Sequence, residues 1–371
     1  MHIQDLCIAT LAFAGAALAE PEAANGYGSK AKTGLWTAMR DRGRKFIGTA
    51  LTIRDDPSET AIISNKADFN SITPENAQKW DVIEPARNQF NFTLADQHID
   101  YATERGYQTH CHNLVWHSQL APWVEAGNFD NATLIEVMRN HINKVAGRYK
   151  GRCTRWDVVN EALNENGTYR DSVWYKTIGE AYIPLAFAMA RKADPKAQLF
   201  YNDYNLEYNG DKTAGALRIV KLIQQYGGKI HGVGLQAHLT SEGTPTSGGG
   251  VTPDQATLET VLRGFTSLNV DVVYTELDVR YVTPGTPAKV EAQKAAYQRI
   301  AASCLAVKRC IGITLWGVSD KYSWIPQTFK GEGDALLWDA NYKKKPVYDS
   351  FLKGIKTGGK KSRSVETEDE Q

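Results

Sequence analysis

From residue 46 onward the chain repeats one unit, a short apolar run followed by an amphipathic helical segment. Strands joined through helices lie parallel, and eight such units can close a sheet on itself. The strand-like runs are 46-FIGTALT-52, 69-FNSITPEN-76, 109-THCHNLVW-116, 154-TRWDVVNE-161, 197-AQLFYNDYN-205, 232-GVGLQAHL-239, 271-DVVYTELD-278 and 311-IGITLWG-317. Between them lie helical patterns such as 93-TLADQHIDYATERG-106, 133-TLIEVMRNHINKVAGRY-149 and 213-TAGALRIVKLIQQYG-227, and 347-VYDSFLKGI-355 closes the series. The expected fold class is α/β, a single (β/α)8 TIM barrel over residues 20–356. A doubly wound sheet would need a glycine-rich phosphate turn after an early strand, and Gly48 alone does not make one.

The ends of the chain read differently. The run 6-LCIATLAFAGAALA-19 is too short to span a bilayer and ends in Ala17-Leu18-Ala19 before Glu20, so residues 1–19 are expected to be a secretory signal peptide, with His2 where a Lys or Arg is usual. The tail over 357–371, including 358-GGKKSRSVETEDEQ-371, is charged, lacks apolar periodicity and is expected to be disordered. A secreted, extracellular protein follows. The sequons at Asn91, Asn131 and Asn166 suit that route. In an oxidising compartment 304-CLAVKRC-310 has a spacing that closes a small loop, which predicts a Cys304–Cys310 disulfide. Cys111 and Cys153 fall in strand patterns that place them too far apart to join, and they are expected to be buried free thiols.

Charge bounds the partners. The 43 Lys and Arg offset 42 Asp and Glu, which leaves no field to favour nucleic acid or an anionic membrane. A neutral polymer fits better, and 9 Trp with 17 Tyr supply flat rings suited to the apolar faces of sugars. No cofactor and no metal is called for, and a monomer is expected.

In barrels of this kind the reacting residues come from the C-terminal ends of the strands. Here the second run ends in Glu75 and Asn76, with Lys79 beyond; the third gives His112, Trp116, His117 and Gln119. The fourth gives Asn160 and Glu161, the fifth Asn202 and Tyr204, the sixth Gln236 and His238. Glu276 and Asp278 end the seventh, Trp316 the eighth, and Trp324 lies in the loop after it. Singly, most have an ordinary reading: Glu161 as a helix N-terminal charge, the tryptophans as core, Lys79 as a structural partner of Glu75. A full ring of polar side chains at one barrel end is costly unless it serves a ligand.

Strands four and seven stand three apart in an eight-membered ring, so Glu161 and Glu276 can face each other across the mouth. Two opposed carboxylates among aromatic rings are the equipment of glycoside hydrolysis. Alternation along a strand puts Gln236 with His238, and Glu276 with Asp278, on shared faces, so that His238 can bridge Glu276 and Asp278 and keep Glu276 ionised. A metal-dependent hydrolase built on His110 and His112 and a barrel that only binds polysaccharide are the rival readings. The second needs a missing carboxylate, and both are present.

With these residues in view, the chain resembles the endo-β-1,4-xylanases of glycoside hydrolase family 10, especially secreted fungal ones, from about Leu35 to Ile355. The resemblance rests on 75-ENAQKW-80, 112-HNLVWHSQ-119, 156-WDVVNEAL-163, 201-YNDYN-205, 232-GVGLQAHL-239 and 275-TELDV-279, with Trp316 and Trp324. It implies a retaining reaction on xylan and xylo-oligosaccharides, with Glu161 as acid/base and Glu276 as nucleophile. It implies that Asn76, Lys79, His112, Asn160, Gln236, Trp316 and Trp324 hold the reacting sugar, with Glu75, Trp116, Gln119, Asn202 and Tyr204 nearby and His238 and Asp278 tuning Glu276. Gln78 stands where Met is usual, Cys111 where Gly is common, and Tyr274 is bulky on the face expected for Glu276. Spacing alone leaves an endo-acting β-1,4-glucanase open, and Trp324 is the candidate wall that excludes the extra hydroxymethyl group of glucose.

Overall fold

The computed structural model describes residues 33–248 and 250–359; the leader read at 1–19, Cys7 and the tail beyond 359 lie outside the described residues. Eight strands form the barrel: β1 (Phe46–Leu51), β2 (Ser71–Pro74), β3 (Gln108–Val115), β4 (Arg155–Asn160), β5 (Gln198–Asp203), β6 (Gly232–Leu235), β7 (Asp271–Val282) and β8 (Cys310–Leu315). Each pairs in parallel with the next, and β8 returns to β1 with Gly312 opposite Phe46, so the barrel has no free edge. The short strand Glu332–Gly333 adds an antiparallel extension to the end of β7.

The helices form because their apolar positions recur at helical spacing. In Asn131–Arg148 the side chains of Leu134, Val137, Met138, His141, Ile142 and Val145 are buried on one stripe, and Asp130 caps the first turn by accepting the Thr133 N–H at 2.8 Å. These stripes pack against outward strand residues such as Trp156, Val158 and Leu199 to make the main core. Inside the barrel, Phe46, Phe200, Val273 and Ile311 form a separate apolar floor. At the N-terminal start of β4 the Arg155 guanidinium lies 3.8 Å from the Phe46 ring and donates to Gln108 and Ser71. With the lower end plugged, the upper end is where a ligand can enter.

Two expectations need correction. The sixth run is not one strand: after β6 it breaks at Gln236 and Ala237, then resumes as His238–Thr240 beside Asp278–Arg280. Cys111 and Cys153 are not free thiols but a disulfide with Cα atoms 5.7 Å apart. Position along the strand is the wrong measure here. Cys111 alternates with His110 and His112, so its side chain faces outward into the helix layer, where the turn after Tyr149 carries Cys153 before the chain enters β4. The Cys304–Cys310 disulfide forms as expected, with Cα atoms 5.2 Å apart.

Candidate active site

The strand tips open into a cleft of about 690 Å³ lined by Lys79, His112, Trp116, Gln119, Asn160, Glu161, Tyr204, Gln236, His238, Glu276, Trp316 and Trp324. Of the remaining predicted residues, Glu75, Asn76, Asn202 and Asp278 do not line it; Asn76, Asn202 and Asp278 hydrogen-bond to residues that do, and Glu75 does not. Glu75 accepts from Thr52 Oγ1 at 2.6 Å and sits 3.7 Å from Arg54, so its nearest cation is Arg54 and not Lys79. Lys79 instead donates to Asn76 Oδ1 (2.7 Å) and Gln119 Oε1 (2.6 Å), with its Nζ 5.0 Å from the centre of the Trp116 ring. Burial lowers the Lys79 pKa against the pull of Glu276, Glu75 and Glu161.

Glu276 is 4 % exposed and fully engaged. Its Oε1 accepts from Asn202 Nδ2 at 2.8 Å, and its Oε2 lies 3.1 Å from His238 Nε2. His238 Nδ1 is 2.9 Å from Asp278 Oδ2, which also accepts from Trp324 Nε1 at 2.9 Å. Burial opposes a charge on His238, but Asp278 and Glu276 together outweigh it and lift its pKa to about 10. Burial also pushes the Glu276 carboxyl up, yet the His238 hydrogen bond and the nearby His112 hold it below the usual range, so Glu276 is ionised.

Glu161 is held differently. Its Oε1 accepts from Gln236 Nε2 at 3.0 Å and faces Asn160 Nδ2 at 3.4 Å, while Oε2 has no hydrogen bond among the described residues. Asn202 Nδ2 also donates to Asn160 Oδ1 at 2.9 Å, so a chain of amides links the two carboxylates. The opposite orientation of the Asn160 amide would set its NH₂ against that of Asn202.

A phase slip delivers each glutamate. Register shifts interrupt β4 between Asp157 and Val159 and β7 between Tyr274 and Leu277. As a result Tyr274 does not share a face with Glu276: it points outward, 2.9 Å from Ser303 Oγ on the helix Pro287–Ala306, while Thr275 and Glu276 both reach Asn202. Gln236 and His238 do share the cleft, but Ala237 between them is left-handed at φ +60°, so a break rather than unbroken alternation turns them inward. Gly234 is required beneath them, since a Cβ there would meet Asn202 Oδ1 at 2.2 Å.

Sequence reasoning passed over Asp157. Fully buried, it lies 2.8 Å from His110 Nε2 and 2.9 Å from His112 Nδ1, and although burial opposes its charge the two imidazoles keep it ionised. Both histidines therefore hold one carboxylate, each through a single ring nitrogen. A buried Asp on a mid-barrel strand was itself a signal, because it needs partners. Gln78 accepts the His112 N–H at 3.1 Å, which ties this departure from the usual residue to the floor of the cleft. Tyr208, Lys212, Arg280 and Phe329 extend the lining beyond the predicted ring: Tyr208 ends the 3₁₀ turn Leu206–Tyr208, Lys212 lies in the first turn of the helix Asp211–Gln225, Arg280 sits on the extended end of β7, and Phe329 follows the short helix Ile325–Thr328.

The described residues contain no helix long and apolar enough to cross a membrane. Residues 34–354 match the model of glycosyl hydrolase family 10. The chain is 61% identical over 328 residues to endo-1,4-beta-xylanase 1 of Gibberella zeae, covering 88% of this chain and 92% of that protein. It is 59% identical over 358 residues to endo-1,4-beta-xylanase 2 of Aureobasidium pullulans, covering 96% and 99%. Among solved structures, a family 10 xylanase from Bispora sp. MEY-1 with xylobiose superposes with a TM-score of 0.82 at 40% identity, covering 86% of this chain and 99% of that one.

Proposed function

The chain belongs to glycosyl hydrolase family 10 and is a retaining endo-1,4-β-xylanase, and from that premise we propose that Glu276 is the nucleophile and Glu161 the acid/base. The observation that carries this reading is the contrast between the two carboxylates. Glu276 is buried and held ionised by His238, as an attacking group must be. Glu161 keeps one oxygen free towards the cleft, where a leaving-group oxygen and then a water would sit.

In the first step Glu276 attacks the anomeric carbon while Glu161 gives its proton to the departing sugar oxygen. In the second, Glu161 takes a proton from water, which displaces Glu276 and returns the β configuration. Asn160, beside both carboxylates, meets the 2-hydroxyl of the reacting xylose, a contact that tightens as positive charge develops at the ring. Lys79, His112 and Gln236 donate to further hydroxyls, and Trp116, Trp316 and Trp324 give the sugar its apolar surfaces. Trp324 is fixed by its bond to Asp278 and blocks the space a hydroxymethyl group would need. Xylan and its oligosaccharides are the substrates, without metal or cofactor, for a monomer secreted behind a leader at 1–19; the disulfides and exposed sequon asparagines support that route.

A reducing-sugar assay of the purified protein on xylan beside carboxymethylcellulose tests the substrate reading, with strong preference for xylan expected. Comparable turnover on the two polymers would overturn it.

A further inference from the structure

Glu161 has φ +53°, a left-handed conformation that is unfavourable for a non-glycine residue and persists only where its surroundings hold it. Three contacts do so. The Glu161 N–H donates to the Asn202 carbonyl at 2.9 Å, and Arg170 Nε donates to the Glu161 carbonyl at 3.1 Å. The next amide, Ala162 N–H, donates to the Tyr201 hydroxyl at 3.2 Å, and that hydroxyl donates onward to Asp203 Oδ2 at 2.5 Å. Asp203 is itself fixed, since its Oδ1 accepts from the Tyr204 N–H at 2.9 Å and lies 3.1 Å from Lys212 Nζ. Tyr201 and Asp203 are both fully buried and neither lines the cleft.

A tyrosine hydroxyl has one proton, so it accepts from Ala162 in a fixed direction only if something else takes that proton. Asp203 takes it. We propose that Tyr201, oriented by Asp203, is a positioning residue for Glu161, holding the backbone turn that aims the carboxyl at the leaving-group oxygen. The proposal rests on the reading of Glu161 as acid/base. Position matters most to the step that needs a proton delivered, because a misplacement of about 1 Å can cost up to roughly a hundredfold in rate. It matters little where the leaving group departs unaided.

The test compares Tyr201→Phe with the wild type on xylan and on a 2,4-dinitrophenyl xylobioside, whose leaving group needs no proton. The expected result is a loss in kcat/KM on xylan of roughly 10–100-fold, with kcat/KM on the dinitrophenyl substrate changed less than about twofold. In a Glu161→Ala background, the same substitution should add no further loss on either substrate. Asp203→Asn, which keeps shape, should move the same ratio in the same direction and carries the comparison if Tyr201→Phe does not fold. Equal losses on both substrates, or no loss on xylan, would overturn the proposal while a leaving-group-selective Glu161→Ala left the acid/base reading standing. An unselective Glu161→Ala would instead sink that reading and this inference together.

Discussion

The two sides of the barrel mouth carry the same functional group in opposite ways. On the β7 side, Glu276 is gripped through its side chain: each oxygen has a partner, and the His238–Asp278 pair behind it fixes its charge. On the β4 side, Glu161 is gripped mainly through its backbone, and half its carboxylate is left to the cleft. A nucleophile must be ionised and aimed before substrate arrives, whereas an acid/base must exchange its proton with leaving group and water. Both sides use a register shift to turn the glutamate inward, and both are tied by a disulfide, Cys111–Cys153 near β4 and Cys304–Cys310 at β8.

The sharpest way to break this contrast is stereochemical. Glu276→Ala should lose turnover on xylan by on the order of 10⁴-fold or more, and Glu161→Ala by roughly 10²–10⁴-fold. With azide and a dinitrophenyl xylobioside, Glu161→Ala should give the β-glycosyl azide, because azide attacks the intermediate opposite Glu276. Glu276→Ala should give the α product by one direct displacement. The reverse pattern, read by NMR of the azides, would show the roles exchanged.

The two disulfides differ next most. Cys111–Cys153 closes 42 residues and Cys304–Cys310 only 6, so by the loop-entropy argument replacing each pair with serine should cost about 4 and about 2 kcal/mol. Urea midpoints of the two double variants would check the order, and equal losses would count against it. Peptide mapping without reduction should find Cys111 linked to Cys153.

His238→Gln tests the charge on the β7 side. Removing a cation beside Glu276 raises that carboxyl's pKa, so the acidic limb of kcat/KM should move to higher pH, with a loss of about 10–100-fold at its centre. A limb that stays in place would show that His238 is not the group keeping Glu276 ionised. Stability should follow the same pair. His238 is lifted from 6.5 to about 10, so the folded state holds the proton more tightly than the unfolded chain. That stabilisation is full below about pH 6.5 and lost as pH rises to about 10, and the stability gap between wild type and variant should narrow over this window.

The smallest effect lies between the two sides. Glu207, fully buried, accepts the Ala237 N–H at 2.7 Å, and burial lifts its pKa from 4.5 to about 7. Its charge therefore costs stability increasingly as pH rises from 4.5 to about 7. Glu207→Gln keeps an acceptor for Ala237 without the charge and should stabilise the protein at pH 8 by on the order of 1 kcal/mol, with no gain at pH 4. Thermal melts at the two pH values would decide, and a variant less stable at both would refute the account.

Much of this molecule was legible in its residues because the readable signals are local. The alternation of strand and helix periods marked eight units, and Cys304 and Cys310 sit close enough in the chain to meet whatever surrounds them. The lining residues from Lys79 to Trp324 could be gathered into one ring because strand ends in a barrel share one mouth. The tertiary structure decided what depends on the neighbouring strand or layer. A register shift exists only between two paired strands, so the outward turn of Tyr274 had no signature in TELD. The bond between Cys111 and Cys153 depends on where a helix-to-strand turn passes beneath β3, 42 residues away in sequence. Asp157 acquired its meaning only when β3 brought two histidines to it. Side-chain periodicity is set by a residue's own backbone, whereas register and layer contacts are set by residues far along the chain, and a single sequence displays the first directly and the second only once it is folded.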